Sequence, residues 1–179
     1  FFFPYSAISK ENHLKNTSDY FNKINEFSAS FLQIQNNEVS EGKIFYKNDR
    51  LRIEYTSPSN IVFVLKKNKA MYYNKDLKEV QYFNPKETAG QLLLDLFNKE
   101  KFLSNTIVFD GKGYFYLSKK IYFDEILNKI NIYFEKNPLL FRKLEIENEM
   151  GLTSFTILNI DFNPSLSNKI FSLVNPTLR

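Results

Sequence analysis

Arg50-Leu51-Arg52-Ile53-Glu54-Tyr55 decides the fold. Leu51, Ile53 and Tyr55 alternate with Arg50, Arg52 and Glu54, the period of two that places apolar side chains on one face of a strand and charged ones on the other. Pro58 closes the segment and Asn48-Asp49 opens it as a turn. Upstream, Lys43–Lys47 reads as a strand, and Phe27, Ala29, Phe31 and Gln33 alternate with Ser28, Ser30, Leu32 and Ile34 before a turn at Asn36-Asn37. Downstream, Ile61–Leu65 is apolar on both faces. Lys66–Lys69 turns into Ala70–Tyr73, and Asn74-Lys75-Asp76 turns into Leu77–Phe83. Strands about ten residues apart, joined by short turns, form an antiparallel meander.

Two segments read as helices. In residues 11–26, Leu14, Thr17, Phe21 and Ile24 fall near one face, a thin stripe suited to a helix lying on a surface. In Glu87–Asn98, Leu92, Leu93, Leu96 and Phe97 cluster at helical spacing, and Leu94 widens the stripe. Strands resume at Thr106–Phe109, Tyr114–Leu117, Ile130–Phe134, Leu139–Glu147, Leu152–Phe162 and Ile170–Val174, while residues 119–129 read as ambiguous, with room for a helical turn. Ten or eleven strands with two helices is more sheet than the helices cover. Such a sheet either pairs with a second sheet or curls into a barrel.

Composition excludes several chemistries. The 179 residues contain no Cys and one His, which removes disulfides, thiolate metal sites, a cysteine nucleophile and multi-histidine metal motifs. Five Gly are too few and too scattered for a phosphate-cradling loop, and Gly-x-Ser-x-Gly is absent. The net charge of +4 is interspersed, so no nucleic-acid partner is expected. Glu145, Glu147 and Glu149 read as a solvated strand face, and His13 as an exposed residue. Nineteen Phe and eleven Tyr remain, and they point to apolar binding or to a filled core, which periodicity alone does not separate.

The opening Phe1-Phe2-Phe3-Pro4-Tyr5-Ser6-Ala7 has two readings: the end of a secretory signal peptide, or a cloning remnant or disordered start. Residues 1–10 are set apart on that basis, and 11–179 read as one domain. No later run approaches the ~20 apolar residues of a membrane helix.

The ordered set of segments resembles the periplasmic outer-membrane lipoprotein carrier family, LolA. The resemblance runs from Leu14 to Pro176. It consists of a helix, then Phe27-Ser28-Ala29-Ser30-Phe31-Leu32-Gln33, a strand opened by Gly42, the alternating strand ending Tyr55-Thr56-Ser57-Pro58, the hairpin Tyr73-Asn74-Lys75-Asp76-Leu77, the Leu-rich helix, and Phe171-Ser172-Leu173-Val174-Asn175-Pro176. Where the family has Arg-Pro, this chain has Lys47-Asn48; where it has Thr-Pro before the Leu-rich helix, this chain has Thr88-Ala89.

The resemblance implies a mainly β (α+β) fold: an incomplete antiparallel β-barrel with helices forming a lid over an apolar cavity. It implies a carrier that binds lipoprotein acyl chains and shuttles them from the inner to the outer membrane, without catalysis and without a cofactor. Leu51, Ile53, Tyr55, Phe63 and Leu65 are the expected cavity wall. Phe21, Ile24, Leu92, Leu93, Leu96 and Phe97 are the expected lid, and Lys47 the expected lid latch, keeping the charge of the family's arginine but not its planar fork. The implied partners are acylated lipoproteins, an inner-membrane lipoprotein-releasing ABC transporter and a LolB-like outer-membrane acceptor, with the carrier a monomer. A sensor or adaptor domain of the same fold, binding a protein partner, is the alternative.

Overall fold

The computed structural model describes residues 5–87, 91, 94, 95, 102–123 and 125–178, without the side chains of 5–9, 87 and 123. Among the described residues, helix α1 (Tyr5–Asn22) precedes eleven strands. These are β1 (Glu26–Gln35), β2 (Glu38–Lys47), β3 (Arg50–Ser57), β4 (Ile61–Lys66), β5 (Lys69–Asn74), β6 (Glu79–Phe83), β7 (Ile107–Asp110), β8 (Tyr114–Phe123), β9 (Ile126–Glu135), β10 (Leu140–Asn148) and β11 (Gly151–Asp161).

All eleven strands belong to one antiparallel sheet of order β6-β5-β4-β3-β2-β1-β11-β10-β9-β8-β7. The first and last strands of the chain meet at its centre, where Phe31 lies opposite Ile157 and Gln33 opposite Phe155. The sheet is open, with β6 and β7 as its edges.

Two-residue turns set the register of the first hairpins. Asn36-Asn37 and Asn48-Asp49 all have positive φ, between 48° and 65°. Mirror-image turns of this kind match the twist of the strands they join, and Asn and Asp tolerate the left-handed conformation best among residues with a Cβ. Register shifts put an extra residue in β11 opposite Ala29, where Asn159 has φ 51°, in β3 at Thr56 between the partners of Glu41 and Gly42, and in β10 at Arg142. Each bends its strand and increases the local twist.

Alternation then sorts the side chains onto two faces. The inner face, under α1, holds one contiguous apolar cluster that includes Phe27, Phe31, Ile44, Leu117, Ile132 and Leu144. The outer face of β3–β5 holds a smaller one, in which Val62, Val64 and Met71 pack with the fully buried Phe171.

Three expectations change. Residues 119–129 are not helical: β8 runs through Phe123 and β9 starts at Ile126, with Glu125 at φ 64° in the turn. Helix α1 begins six residues earlier than position 11. Ile170–Val174 is not a strand. Residues 168–171 form a 3-10 turn, and the segment crosses the outer face as a strap. Its carbonyls are taken by side chains instead of a neighbouring strand: Lys47 Nζ donates to Leu166 O (2.7 Å), Arg52 to Ile170 O (2.7 Å) and Tyr82 to Leu173 O (2.9 Å).

Candidate apolar binding face

The alternation of β3 delivers Leu51 and Ile53 to the inner face, and register brings β4 beside them. Leu51 lies opposite Leu65 and Ile53 opposite Phe63. Leu51, Ile53 and Leu65 are buried in the inner cluster, and Tyr55 and Phe63 are half-buried against it. The five expected wall residues therefore form one patch.

The patch continues as a chain of ring contacts. Phe31 meets Tyr55 edge-on at 5.2 Å, Tyr55 meets Phe63 at 6.1 Å and Phe63 meets Tyr72 at 5.3 Å. Tyr55 Oη donates to Gln33 Oε1 at 2.5 Å, so the one hydroxyl among the five wall residues is satisfied. Burial pushes its pKa up to about 12, so it stays neutral at any physiological pH.

Of the expected lid, Phe21 is buried in the inner cluster and Ile24 packs partly against it. Leu92, Leu93, Leu96 and Phe97 lie outside the described residues. Their neighbours Leu94 and Phe102 are buried in the same cluster.

Lys47 is engaged on the outer face, and most of the Leu-rich segment expected to meet it lies outside the described residues. The Lys47 ammonium pairs with Glu26 Oε2 at 2.9 Å and bonds Leu166 O, and among the described residues it makes no hydrogen bond or ion pair with α1. Tyr46, its neighbour, occupies the inner face, so alternation turns Lys47 outward. Its charge closes the strap onto the outer face. The Lys47 bond, with a further one from the Leu166 N–H, holds the Glu26 carboxyl below its ordinary value.

Two features escaped sequence reasoning. The first is a second aromatic group under α1: Phe115 stacks on Phe134 at 5.1 Å, and Tyr20 and Phe21 meet Phe134 edge-on. The alternation Ile130-Ile132-Phe134 carried the signal for the strand, but nothing local tied it to the helix. The second is His13, which is not exposed: its ring stacks on Phe115 at 4.2 Å, and Nε2 lies 3.3 Å from Asp110 Oδ1. Asp110 also pairs with Lys136, and that bond, with the smaller contribution of His13, depresses its pKa.

Glu145 is likewise engaged, accepting bonds from Tyr133 Oη and Lys143 Nζ, each at 2.7 Å. Burial alone would raise its pKa, but those bonds outweigh burial and lower it. It lies opposite Asn131 and Ser154 on the outer face, away from the apolar patch.

Among the described residues no group of three or more His, Asp or Glu could hold a metal ion. No described helix is long and apolar enough to cross a membrane. The inner face thus offers apolar area, ring edges and a few satisfied polar groups, a surface suited to binding rather than proton transfer.

An open antiparallel sheet with a helix on its apolar face defines a class of binding scaffold. Residues 22–174 match the family model described as outer membrane lipoprotein carrier protein LolA, and the chain belongs to that family, a periplasmic and non-enzymatic one. It is 24% identical over 171 residues to the uncharacterized protein RP864 of Rickettsia prowazekii, covering 93% of this chain and 78% of that one.

Among solved structures, an uncharacterized conserved protein from Thermus thermophilus shares the fold at a TM-score of 0.58 and 7% identity, covering 90% of this chain and 91% of that one. The MucA/MucB complex of Pseudomonas aeruginosa matches at a TM-score of 0.50 and 14% identity, covering 88% of this chain and 60% of that one.

Proposed function

We propose that the chain is a periplasmic lipoprotein carrier whose sheet curls as an incomplete barrel around an acyl-chain cavity. Leu51, Ile53, Tyr55, Phe63 and Leu65 form the cavity wall. Phe21 and Ile24, together with Leu92, Leu93, Leu96 and Phe97, form the lid. Cargo arrives from an inner-membrane ABC transporter and leaves to an outer-membrane acceptor. The observation that carries this reading is the half-buried aromatic run Tyr55-Phe63-Tyr72 on the inner face of a LolA-family sheet. Rings left half-buried between fully buried neighbours are what an acyl chain would cover, at about 0.8 kcal/mol per buried CH₂.

The test is displacement of a dye that fluoresces in apolar cavities by a triacylated lipoprotein. The native protein should take up dye and release it to the acylated but not the de-acylated cargo. Phe63→Glu should lose both while keeping its near-ultraviolet dichroism. Dye uptake that survives Phe63→Glu, or none by the native protein, refutes the site.

A second reading has one observation in its favour, the shared fold of MucB, solved in complex with MucA. On that reading the inner face or a sheet edge holds a protein segment, and a de-acylated partner binds as well as an acylated one.

A further inference from the structure

We propose that the groove beside the C-terminal half of α1 is an acyl-chain subsite with its own polar mouth. The inference rests on the carrier reading and adds a location for one chain and its head. The groove has a volume of about 460 Å³, within the range of small-ligand sites. α1 forms one wall, and Leu139, before β10, and Phe162, after β11, form the other.

The groove is amphipathic along its depth. Asn16, Asp19 and Lys23 stand at the exposed rim, and none of the three side chains has a hydrogen-bond or ionic partner among the described residues. Tyr20 lies deeper. Its oxygen accepts the Phe141 N–H at 3.2 Å, and its own proton has no acceptor among the described residues, leaving a donor for an ester or amide carbonyl. Ile24, Leu139 and Phe162 supply the apolar wall.

Behind Tyr20, Ile24 and Phe162 lies a void of about 10 Å³ that also touches Phe27, Phe141 and Ile160. That is about the smallest space that admits a water molecule, and this one is lined by apolar side chains. The seam between α1 and the sheet is therefore imperfectly filled along the line joining the groove to the inner cluster. Thr17, on the buried side of the same helix, has a hydroxyl with no partner among the described residues. A ligand with an apolar tail and a hydrogen-bonding head fits this order of surfaces: head between Asp19 and Lys23, carbonyl on Tyr20, tail along Ile24 and Phe162.

The chain contains no Trp, so one introduced Trp is an unambiguous reporter. Leu139→Trp places it in the groove wall, Lys23→Trp places it at the exposed rim without touching the core, and Phe63→Trp reports the β3–β4 patch. The probe is a synthetic triacylated cysteinyl lipopeptide with brominated acyl chains, which quench Trp only on contact. We expect the lipopeptide to quench Leu139→Trp strongly and Lys23→Trp weakly, and an excess of the same lipopeptide with unbrominated chains, but not of its de-acylated form, to restore the emission. Ile24→Arg in the Leu139→Trp background should weaken the affinity about tenfold, the equivalent of about two buried methylenes. Quenching of Phe63→Trp without quenching at 139 or 23 overturns the groove and leaves the carrier reading standing. Failure of the lipopeptide to bind any of the three variants overturns both.

Discussion

Truncating Phe171 to Ala tests whether the strap is a packed part of the fold. Phe171 is fully buried on the outer face against Val62, Val64 and Met71, and the guanidinium of Arg50 lies 5.4 Å above its ring. A Phe ring buries on the order of 150–250 Å². At about 25 cal/mol per Å² that is about 4–6 kcal/mol, an upper figure because the unfolded chain already hides some of this area. The methyl retained by Ala, set against the cavity left behind, brings the expected loss to about 3–5 kcal/mol. For a chain of this length that lowers Tm by about 6–20 °C.

Urea unfolding followed by far-ultraviolet dichroism measures the loss directly. Phe171→Leu, which keeps most of the volume, should lose less than half as much. A loss below about 1 kcal/mol for Phe171→Ala, a surface-like value, would show that the strap does not pack as described. Dye uptake at the inner face, measured per folded molecule, should be unchanged, because the ring sits on the opposite side of the sheet.

Gly42→Ala should destabilise the protein by about 1–3 kcal/mol, the cost of overpacking. A Cβ there would meet the backbone O of Glu54 at 2.1 Å and the Phe31 ring at 2.7 Å, and the carbonyl belongs to the adjacent strand and has nowhere to go. An unchanged urea midpoint would refute this close approach. Acid should weaken the fold from about pH 4.5 downward. Glu26, Asp76, Asp110 and Glu145 are held below their ordinary values of 4.5 for Glu and 3.8 for Asp, so their contribution is complete above those values and is lost as pH falls through the folded ones. The midpoint should be flat from pH 7 to 5 and fall below 4.5, with a shallower fall in Glu26→Gln. A midpoint that holds to pH 3 contradicts the pairing.

The strands around Leu51–Tyr55 were legible because each signal was local: alternation, a two-residue Asn/Asp turn on one side and Pro58 on the other. The strap was not. Ile170-Phe171-Ser172-Leu173-Val174 has the composition of a strand, and its structure depends on Lys47, Arg52 and Tyr82, which lie 119, 118 and 91 residues from the carbonyls they bond. Residues 119–129 misled for a related reason. Lys119 lies opposite Ile130, a buried position, and so breaks the apolar alternation of β8. Its ammonium is accommodated by Phe102 O at 3.3 Å, from a segment that no local pattern connects to it.

The placement of Lys47 bears on how binding and stability divide between the two faces. If the cation closed a lid over the inner face, losing it would affect cargo and fold together. In this chain it holds the strap, with Glu26, Arg52 and Tyr82, on the side away from the apolar patch. Much of the polar anchoring of β2–β6 therefore lies on the outer face. The inner face is left with apolar contacts, which are non-directional and can be exchanged for those of a ligand at little cost. Helix α1 fits that division. It attaches through the apolar side chains of Leu14 and Phe21, with two polar contacts to the sheet, Tyr20 Oη accepting the Phe141 N–H at 3.2 Å and His13 Nε2 3.3 Å from Asp110 Oδ1. On the proposed carrier reading, an apolar ligand would exchange for the apolar contacts of α1 while the sheet, braced from the other side, stays folded.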